Sequence, residues 1–165
     1  MSGRRNKIPL DAEHARDPAA VHGAAVALLA RRDFASAELR SRLAADGYDC
    51  ATIVTVVAEL IDERAVDDAR YATNYVAFHA RRGQGPLRVG ADLKALGVPE
   101  GLIDAALQSG PDWARLASEV LARRFGRRPP QSRTELARQV RFLQYRGFSS
   151  DHIRSALGPH FEPDE

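Results

Sequence analysis

The sequence predicts an all-α protein made of three tandem three-helix repeats, stacked into an elongated, curved array. Three observations support this prediction: a residue pattern that recurs at a fixed period, apolar positions at helical spacing within each copy, and a composition rich in alanine and arginine. Alanine and arginine are both good helix formers. Because repeats of this kind contact mainly their neighbours, we expect serial stacking rather than one central core.

The repeat has a period of 50 residues. A glycine followed by an apolar residue occurs at Gly47, at Gly97 and at Gly147. Further columns with the same spacing hold apolar or small residues: Leu43, Leu93, Leu143; Ile53, Ile103, Ile153; Val57, Leu107, Leu157; and Val56, Ala106, Ala156. A period of this size is typical of a supersecondary unit that buries its apolar face only by stacking on another copy.

The first segment of each copy is amphipathic and ends in Ala-Arg-Arg, at residues 30–32, 80–82 and 122–124. The third Ala-Arg-Arg lies eight residues earlier than the period of 50 predicts, and the loop 126–130 restores the spacing of the later columns. Capping residues indicate where the segments begin. We expect Asp67 to cap the second copy, with prolines near the starts of the others, Pro18 and Pro111.

In the second segment of each copy, the sequence contains residues that mark where the helix begins and ends. Pro86 suits a first helical position, and Ser132 with Glu135 fits a capping box. The repeated glycine is expected to end the segment as a left-handed C-cap, a conformation that glycine adopts without a Cβ penalty.

The third segment is expected to begin after Asp49 or Ser149, or with Pro99 as its first helical residue. Residues 52–57 are rich in β-branched side chains and by themselves fit a strand. Their counterparts in the other two copies lack this bias, and the apolar residues from Ile53 onward share one helical face. We therefore predict a helix.

These segments give five predicted regions. The repeats span residues 18–66, 67–110 and 111–158, and flexible tails occupy residues 1–17 and 159–165.

Several functional classes are disfavoured. The apolar runs are far shorter than the ~18 residues of a membrane span, and the N-terminus lacks the apolar region of a signal peptide, so we expect a cytoplasmic protein. The one cysteine, Cys50, cannot form an internal disulfide. Phosphate-loop, metal-protease and serine-hydrolase motifs are missing, and the five histidines show no ligand spacing. Capping explains the adjacent Asp67 and Asp68 better than acid/base catalysis does. We expect neither an enzyme nor a cofactor or metal.

The charge distribution favours an anionic partner. The formal net charge is only +2, but residues 113–146 hold nine arginines against two acids, a local balance of +7. The arginine guanidinium binds carboxylates and phosphates alike, so the positive charge does not distinguish an acidic protein partner from a nucleic acid. The repeated Ala-Arg-Arg also places cations at helix C-termini, where they are stabilising, and this purely structural interpretation stays open.

The middle of the chain resembles the RecX family, regulatory proteins that act on the recombinase RecA. The resemblance rests on Asp-Asp-Ala-Arg-Tyr-Ala at residues 67–72, followed by Arg-Arg-Gly at 81–83, Gly-Pro at 85–86 and Arg88. The opening and closing units contribute residues 28–32 with 38–39, and residues 141–143 with 146–148. The similar region runs roughly from residue 20 to residue 158.

The chain also departs from the family pattern. The usual serine cap before Glu38 falls at Ala35, and we expect the cap to shift to Ser36. Leu87 and Gly90 stand where the family leads us to expect basic residues.

The resemblance implies a non-enzymatic modulator that lies in the helical groove of the RecA filament on single-stranded DNA. Such a protein would limit filament growth, ATP hydrolysis, strand exchange and co-protease activity in recombination and the SOS response. We expect a monomer that binds single- or double-stranded DNA weakly. The residues expected to contact the RecA filament are Arg70, Arg81, Arg82, Arg88 and Lys94. Those expected to contact filament or DNA are Arg123, Arg124, Arg127, Arg128, Arg138, Arg141 and Arg146.

Two alternatives remain from the residues themselves. One is a sequence-tolerant DNA-binding protein with helix-turn-helix-like units, although the arginines are spread over several units and not concentrated on one recognition helix. The other is a scaffold for an acidic protein, whose binding would depend on neither RecA nor DNA.

Overall fold

The structure is a computed structural model, and it describes residues 10–158. Within this range the chain forms ten α-helices and no strand. The helices are α1 (Ala12–Arg16), α2 (Pro18–Leu29), α3 (Ser36–Ala45), α4 (Cys50–Asp62), α5 (Asp68–Arg81), α6 (Pro86–Ala95), α7 (Glu100–Gln108), α8 (Trp113–Phe125), α9 (Arg133–Arg146) and α10 (Ser150–Leu157). The predicted all-helical repeat fold is thereby confirmed.

The chain divides into two compact units, and the division falls after Tyr71, inside α5. In the first unit, α2 and α3 both pack on α4. Residues 52–57 are helical, as predicted, and Ile53, Val56 and Val57 face the interior. The buried apolar core of this unit is Val21, Ala25, Phe34, Leu39, Leu43, Ile53, Val56, Val57, Leu60 and Val66.

Helix α1 lies within the range that the sequence analysis assigned to a flexible tail. Asp11 caps it by accepting the N–H of His14, and the carbonyl of Ala15 accepts the N–H of Asp49, 2.9 Å away. The helix has five residues and none is buried, so its sequence has no apolar periodicity from which a helix could be predicted. Residues 1–9 of the predicted tail, and all of 159–165, lie outside the described residues.

In the second unit, α6 packs on α7, while α8, α9 and α10 pack against one another. The last three helices share an apolar cluster that includes Ala117, Leu143, Phe148 and Ile153. The buried positions contributed by α5, α6 and α7 and by the loop after α6 are Ala72, Val76, Ala80, Val89, Leu93, Val98, Ile103 and Ala106.

The repeat columns occupy equivalent places in the structure. Leu43, Leu93 and Leu143 are each fully buried, at 0% exposure. The glycines four residues later have φ values of +102°, +79° and +91°, as expected of left-handed C-caps. In every copy the N–H of the next residue donates to the carbonyl of the column leucine, at 3.1–3.2 Å. This closes the same C-terminal turn three times.

Two predicted helix starts differ slightly from the structure. Pro86 is the first residue of α6, as expected, but Pro99 is the N-cap of α7, so that helix begins at Glu100. Ser132 caps α9 by accepting the N–H of Glu135, whereas the Glu135 carboxylate reaches back to the N–H of Gln131 rather than to that of the cap itself.

The predicted cap of α3 at Ser36 is wrong. Ala35 is the N-cap and contributes no side-chain hydrogen bond, and Ser36 is already the first helical residue. The carboxylate of Asp68 replaces the missing cap: its two oxygens accept from Ser36 N–H and from Ser36 Oγ, both at 2.7 Å. The neighbouring Asp67 caps α5 by accepting the N–H of Arg70. Adjacent carboxylates therefore serve two different helices.

Candidate binding surface

The Gly-x-Gly-Pro segment 83–86 joins the start of α6 to the end of α9. Helix α6 has no side-chain N-cap. Instead, Gly85 N–H donates to the carbonyl of Arg146 at 2.7 Å, and Leu87 N–H donates to the carbonyl of Gly147 at 3.0 Å. A Cβ at Gly85 would overlap the backbone of Gly147. This contact places Arg82, in the loop after α5, beside Arg146 at the end of α9.

A small cleft of about 200 Å³ lies next to this junction, and we call it the arginine cleft. It is lined by Arg82, Gly83, Val120, Arg123, Arg124, Phe142 and Arg146. Arg146 is half-buried, and its Nη1 donates to the carbonyl of Arg82 at 3.1 Å. None of the lining residues is acidic. Four of the predicted site residues thus share one basic cleft.

Aromatic rings support these arginines. Phe125 and Phe142 meet edge to face with centroids 5.3 Å apart. The guanidinium of Arg146 lies 5.3 Å from the centroid of Phe142, and those of Arg124 and Arg138 lie 5.5 and 5.7 Å from that of Phe125. Contacts at these distances are favourable cation–π interactions, so they restrict where the charges can point.

A second, very open groove contains Arg88, and we call it the Tyr145 groove. It is lined by Leu87, Arg88, Gln144, Tyr145 and Gly147. Tyr145 is 80% exposed and Leu87 is 61% exposed, and the guanidinium of Arg88 lies 5.9 Å from the Tyr145 centroid. Tyrosine and arginine together are the residue types most often found at binding hot spots. Tyr145 is not among the residues predicted from the sequence, although the buried positions of its helix leave it on the outer face.

Arg81 and Arg82 point into different concavities. Arg82 lines the arginine cleft, and its guanidinium lies 5.5 Å from the ring of the half-exposed Phe78. Arg81 lines a separate cleft of about 530 Å³, together with Glu119 and Arg123. Arg127 and Arg128 line a third cleft, between α8 and α10.

The remaining predicted residues are not gathered into these clefts. Arg70 belongs to the first unit, and its guanidinium donates to the carbonyls of Arg64 and Ala65, each at 3.3 Å, which closes the loop between α4 and α5. Lys94 and Arg141 are exposed on α6 and α9. Arg138, on α9, also lines none of the clefts described above. Contact with the filament or with DNA stays a prediction for every site residue, including those that line the clefts.

Two ionisable groups in the first unit have perturbed pKa values. A side-chain hydrogen bond to Glu38 raises the pKa of Arg32, and the two groups form a salt bridge. The pKa of Asp49 is lowered, chiefly because its carboxylate accepts the backbone N–H of Thr52 and then the Thr52 hydroxyl. Both are structural pairs, and they indicate no acid/base site.

Between residues 10 and 158, no three histidine, cysteine, aspartate or glutamate side chains are grouped so as to hold a metal ion. No helix in this described range combines the length and the apolar character needed to cross a bilayer.

Comparison with known proteins gives consistent matches. Two family models align with the chain: RecX, second three-helix domain, over residues 67–107, and RecX, third three-helix domain, over residues 112–157. The regulatory protein RecX of Halorhodospira halophila is 41% identical over 147 residues, covering 88% of this chain and 91% of that protein. The protein of the same name from Chromohalobacter salexigens is 42% identical over 139 residues, covering 84% and 91%.

Solved structures show the same fold. The crystal structure of RecX from Lactobacillus salivarius superposes with a TM-score of 0.75, covering 87% of this chain and 96% of that one, at 23% sequence identity. A second crystal structure, of a regulatory protein RecX, gives a TM-score of 0.72 over 91% of this chain and 78% of that one.

Proposed function

Because this chain belongs to the RecX family of regulatory proteins, we propose that it binds the RecA filament on single-stranded DNA, in the helical groove of the filament, and limits filament growth. Slower growth reduces the ATP hydrolysis, strand exchange and co-protease activity that depend on the filament, and so dampens recombination and the SOS response. The protein acts in the cytoplasm as a monomer, binds no cofactor and catalyses no reaction. It contacts bare DNA only weakly.

The observation that carries the proposal is the arginine cleft. Arg82 comes from the second predicted repeat, whereas Arg123, Arg124 and Arg146 come from the third, and all four line one cleft without an acidic neighbour. Ring contacts and the hydrogen bond from Arg146 to the carbonyl of Arg82 hold guanidinium groups in place before a partner arrives. Pre-ordered side chains lose less conformational entropy on binding.

Arginine is well suited to the anionic groups of a nucleoprotein filament. Its planar guanidinium binds carboxylates and phosphates through paired hydrogen bonds. Beside this charge, the exposed Leu87 and Tyr145 supply apolar area that bare DNA does not require. A surface that combines both properties favours a protein-containing partner over the DNA backbone alone.

The test is inhibition of the RecA ATPase on single-stranded DNA. We expect the double variant Arg82→Ala, Arg124→Ala to need at least about tenfold more protein for half-inhibition, a loss of roughly 1.4 kcal/mol of binding. The matched control is Arg133→Ala, Arg154→Ala, which removes the same charge from α9 and α10 outside the arginine cleft and should inhibit as the wild type does. Full inhibition by a folded cleft variant would remove the cleft from the proposal.

The same proteins distinguish the DNA-binding alternative. Affinity should be measured at matched salt for bare single-stranded DNA and for the RecA filament on that DNA. We expect far tighter binding to the filament, because charge attraction to bare DNA weakens steeply with salt. Equal affinities would favour a sequence-tolerant DNA-binding protein, and binding to acidic proteins without RecA would favour a scaffold.

A further inference from the structure

A cleft of about 590 Å³ lies within the second unit, between α8, the loop 126–132, α9 and α10, and the proposed function does not use it. Its volume falls in the range of about 300 to 1,000 Å³ that is typical of small-molecule sites. Leu121, Pro130 and Leu157 are among its apolar lining residues. We call it the Gln139 cleft, after the buried polar residue that lines it.

Gln139 is only 7% exposed, one of two buried polar residues in the part of the chain that the structure describes. The other, Ser36, is hydrogen-bonded to Asp68. Across residues 10–158 we find no hydrogen-bond partner for the Gln139 amide, and no side-chain atom in that range is both fully enclosed and unsatisfied. The amide must therefore reach the cleft that it lines. Water in the cleft satisfies this amide in the free protein, and a ligand with its own donor and acceptor can take the place of that water.

The repeat shows that packing does not require a polar side chain here. The period of 50 residues aligns Gln139 with Leu39 and Val89, and both of these are apolar and fully buried. The third copy alone replaces a core aliphatic residue by an amide. This one polar residue of the column is also the one that lines the cleft.

The rim of the cleft is basic. Arg127 and Arg128 are exposed on the loop after α8. Arg115 also lines the cleft, and its Nε lies 3.0 Å from Oε1 of Glu119, so the one acidic lining residue is already paired. The two loop arginines leave an excess of positive charge at the mouth.

From these features we propose that the Gln139 cleft binds one nucleotide of a single-stranded nucleic acid. The base enters between the apolar walls and bonds through its edge to the Gln139 amide, while the adjoining phosphates bind Arg127 and Arg128. A glutamine amide presents a donor and an acceptor side by side, which matches the edge of a base and of adenine in particular. An acidic side chain could bind the arginines, but it would neither fill the apolar part of the cleft nor pair with both the donor and the acceptor of the Gln139 amide. This proposal goes beyond the proposed function, which includes only weak contact with bare DNA, because it assigns a specific site for a base.

The experiment compares two strands that carry the same backbone charge, without RecA: a deoxyadenosine strand of about 20 nucleotides, and an abasic strand of equal length. Fluorescence anisotropy gives the affinity for each. We expect the wild type to bind the deoxyadenosine strand at least about tenfold more tightly, since base contacts of this kind contribute roughly 1 to 3 kcal/mol. Equal affinity for the two strands would overturn the proposal.

Gln139→Leu is the decisive variant, because leucine is the residue that the first repeat carries in this column. It should remove most of the preference for the base-bearing strand and leave binding to the abasic strand unchanged. Gln108→Leu, at the exposed end of α7, is the matched control and should keep the preference. A folded Gln139→Leu protein that retains the full preference would overturn the proposal.

Two further measurements do not depend on the folding of that variant. Arg127→Ala with Arg128→Ala should weaken binding to both strands and reduce the slope of log affinity against log salt by about 1.4, or ~0.7 for each lost phosphate contact. In the wild type, the side-chain NH₂ signals of Gln139 should shift on titration with the deoxyadenosine strand. Signals that stay in place at saturation, or that move equally with a polyglutamate peptide, would refute the assignment of the cleft to a nucleotide.

Discussion

Gly85 and Gly147 meet backbone to backbone, and their contact joins the start of α6 to the end of α9. Gly85 N–H donates to the carbonyl of Arg146, and the carbonyl of Gly147 accepts the N–H of Leu87. Neither glycine has room for a Cβ, because Gly147 backbone atoms lie against Gly85 and Arg88 lies against Gly147. The arginine cleft and the Tyr145 groove both border this junction.

Gly85→Ala is expected to destabilise the second unit by about 1 to 3 kcal/mol or more, because the new methyl group must displace backbone. Gly85 has φ −86°, which alanine adopts freely, so crowding is the only penalty. Gly101→Ala is the control: nothing lies within 4 Å of a Cβ there, and alanine in helix α7 should be neutral or stabilising. Urea unfolding measures both. Equal stability of the two variants would contradict the close contact.

Asp68→Ala is expected to destabilise the protein by about 1 to 3 kcal/mol, because it leaves the N–H and hydroxyl of the buried Ser36 without an acceptor. Asp67→Ala should cost about 1 kcal/mol, the usual loss for a local helix cap. A double-mutant cycle with Ser36→Ala measures the interaction directly. Because Ser36→Ala keeps the backbone N–H, the cycle reports on the hydroxyl–carboxylate hydrogen bond, and additive effects would contradict that bond.

Tyr145→Ala is expected to weaken binding to the RecA filament by about 30-fold, equivalent to about 2 kcal/mol, and to leave thermal unfolding unchanged. The side chain is 80% exposed, so its loss removes almost no internal packing. Val54→Ala truncates another exposed apolar side chain, 59% exposed on α4, and should bind as the wild type does. Similar affinities for the two variants would exclude Tyr145 from the interface.

Asp49 should make the stability of the first unit depend on pH. Its folded-state pKa lies below the ordinary value, so its contribution is complete above the unfolded-state pKa of about 3.9 and is lost as pH falls through the folded-state pKa. Asp49→Asn keeps a capping oxygen but does not titrate. The stability advantage of the wild type over this variant, measured by urea unfolding, should therefore shrink from pH ~7 to pH ~2.5. A constant difference would contradict the lowered pKa.

Apart from α1, the sequence predicts the helices well, because their apolar spacing, caps and terminal glycines are local signals that recur in each repeat. The column of Leu43, Leu93 and Leu143 shares one burial and one C-terminal turn, and the glycines that follow are required by their positive φ. The repeat predicts a helix for residues 52–57, although their side chains alone favour a strand, and the structure confirms the helix.

Long-range contacts were less accessible to sequence reasoning. The predicted cap of α3 is wrong because Asp68 lies 32 residues from Ser36, and no local pattern indicates that they meet. The convergence of Arg82 with Arg146 likewise depends on the Gly85–Gly147 junction, 62 residues apart in sequence. The sequence does not predict Tyr145 as a site residue, because a single exposed aromatic residue on a helix belongs to no motif.

Asp67 caps its own helix, α5, whereas Asp68 binds Ser36 at the start of α3. This arrangement also affects the order in which a nascent chain can fold. A chain released only as far as residue 66 contains all of α2, α3 and α4 but lacks the carboxylate that satisfies Ser36. Since domains fold from the N-terminus during synthesis, the first unit stays incomplete until the opening turn of the next helix has left the ribosome. An expression fragment meant to represent this unit must therefore extend through Tyr71, where the compact unit ends.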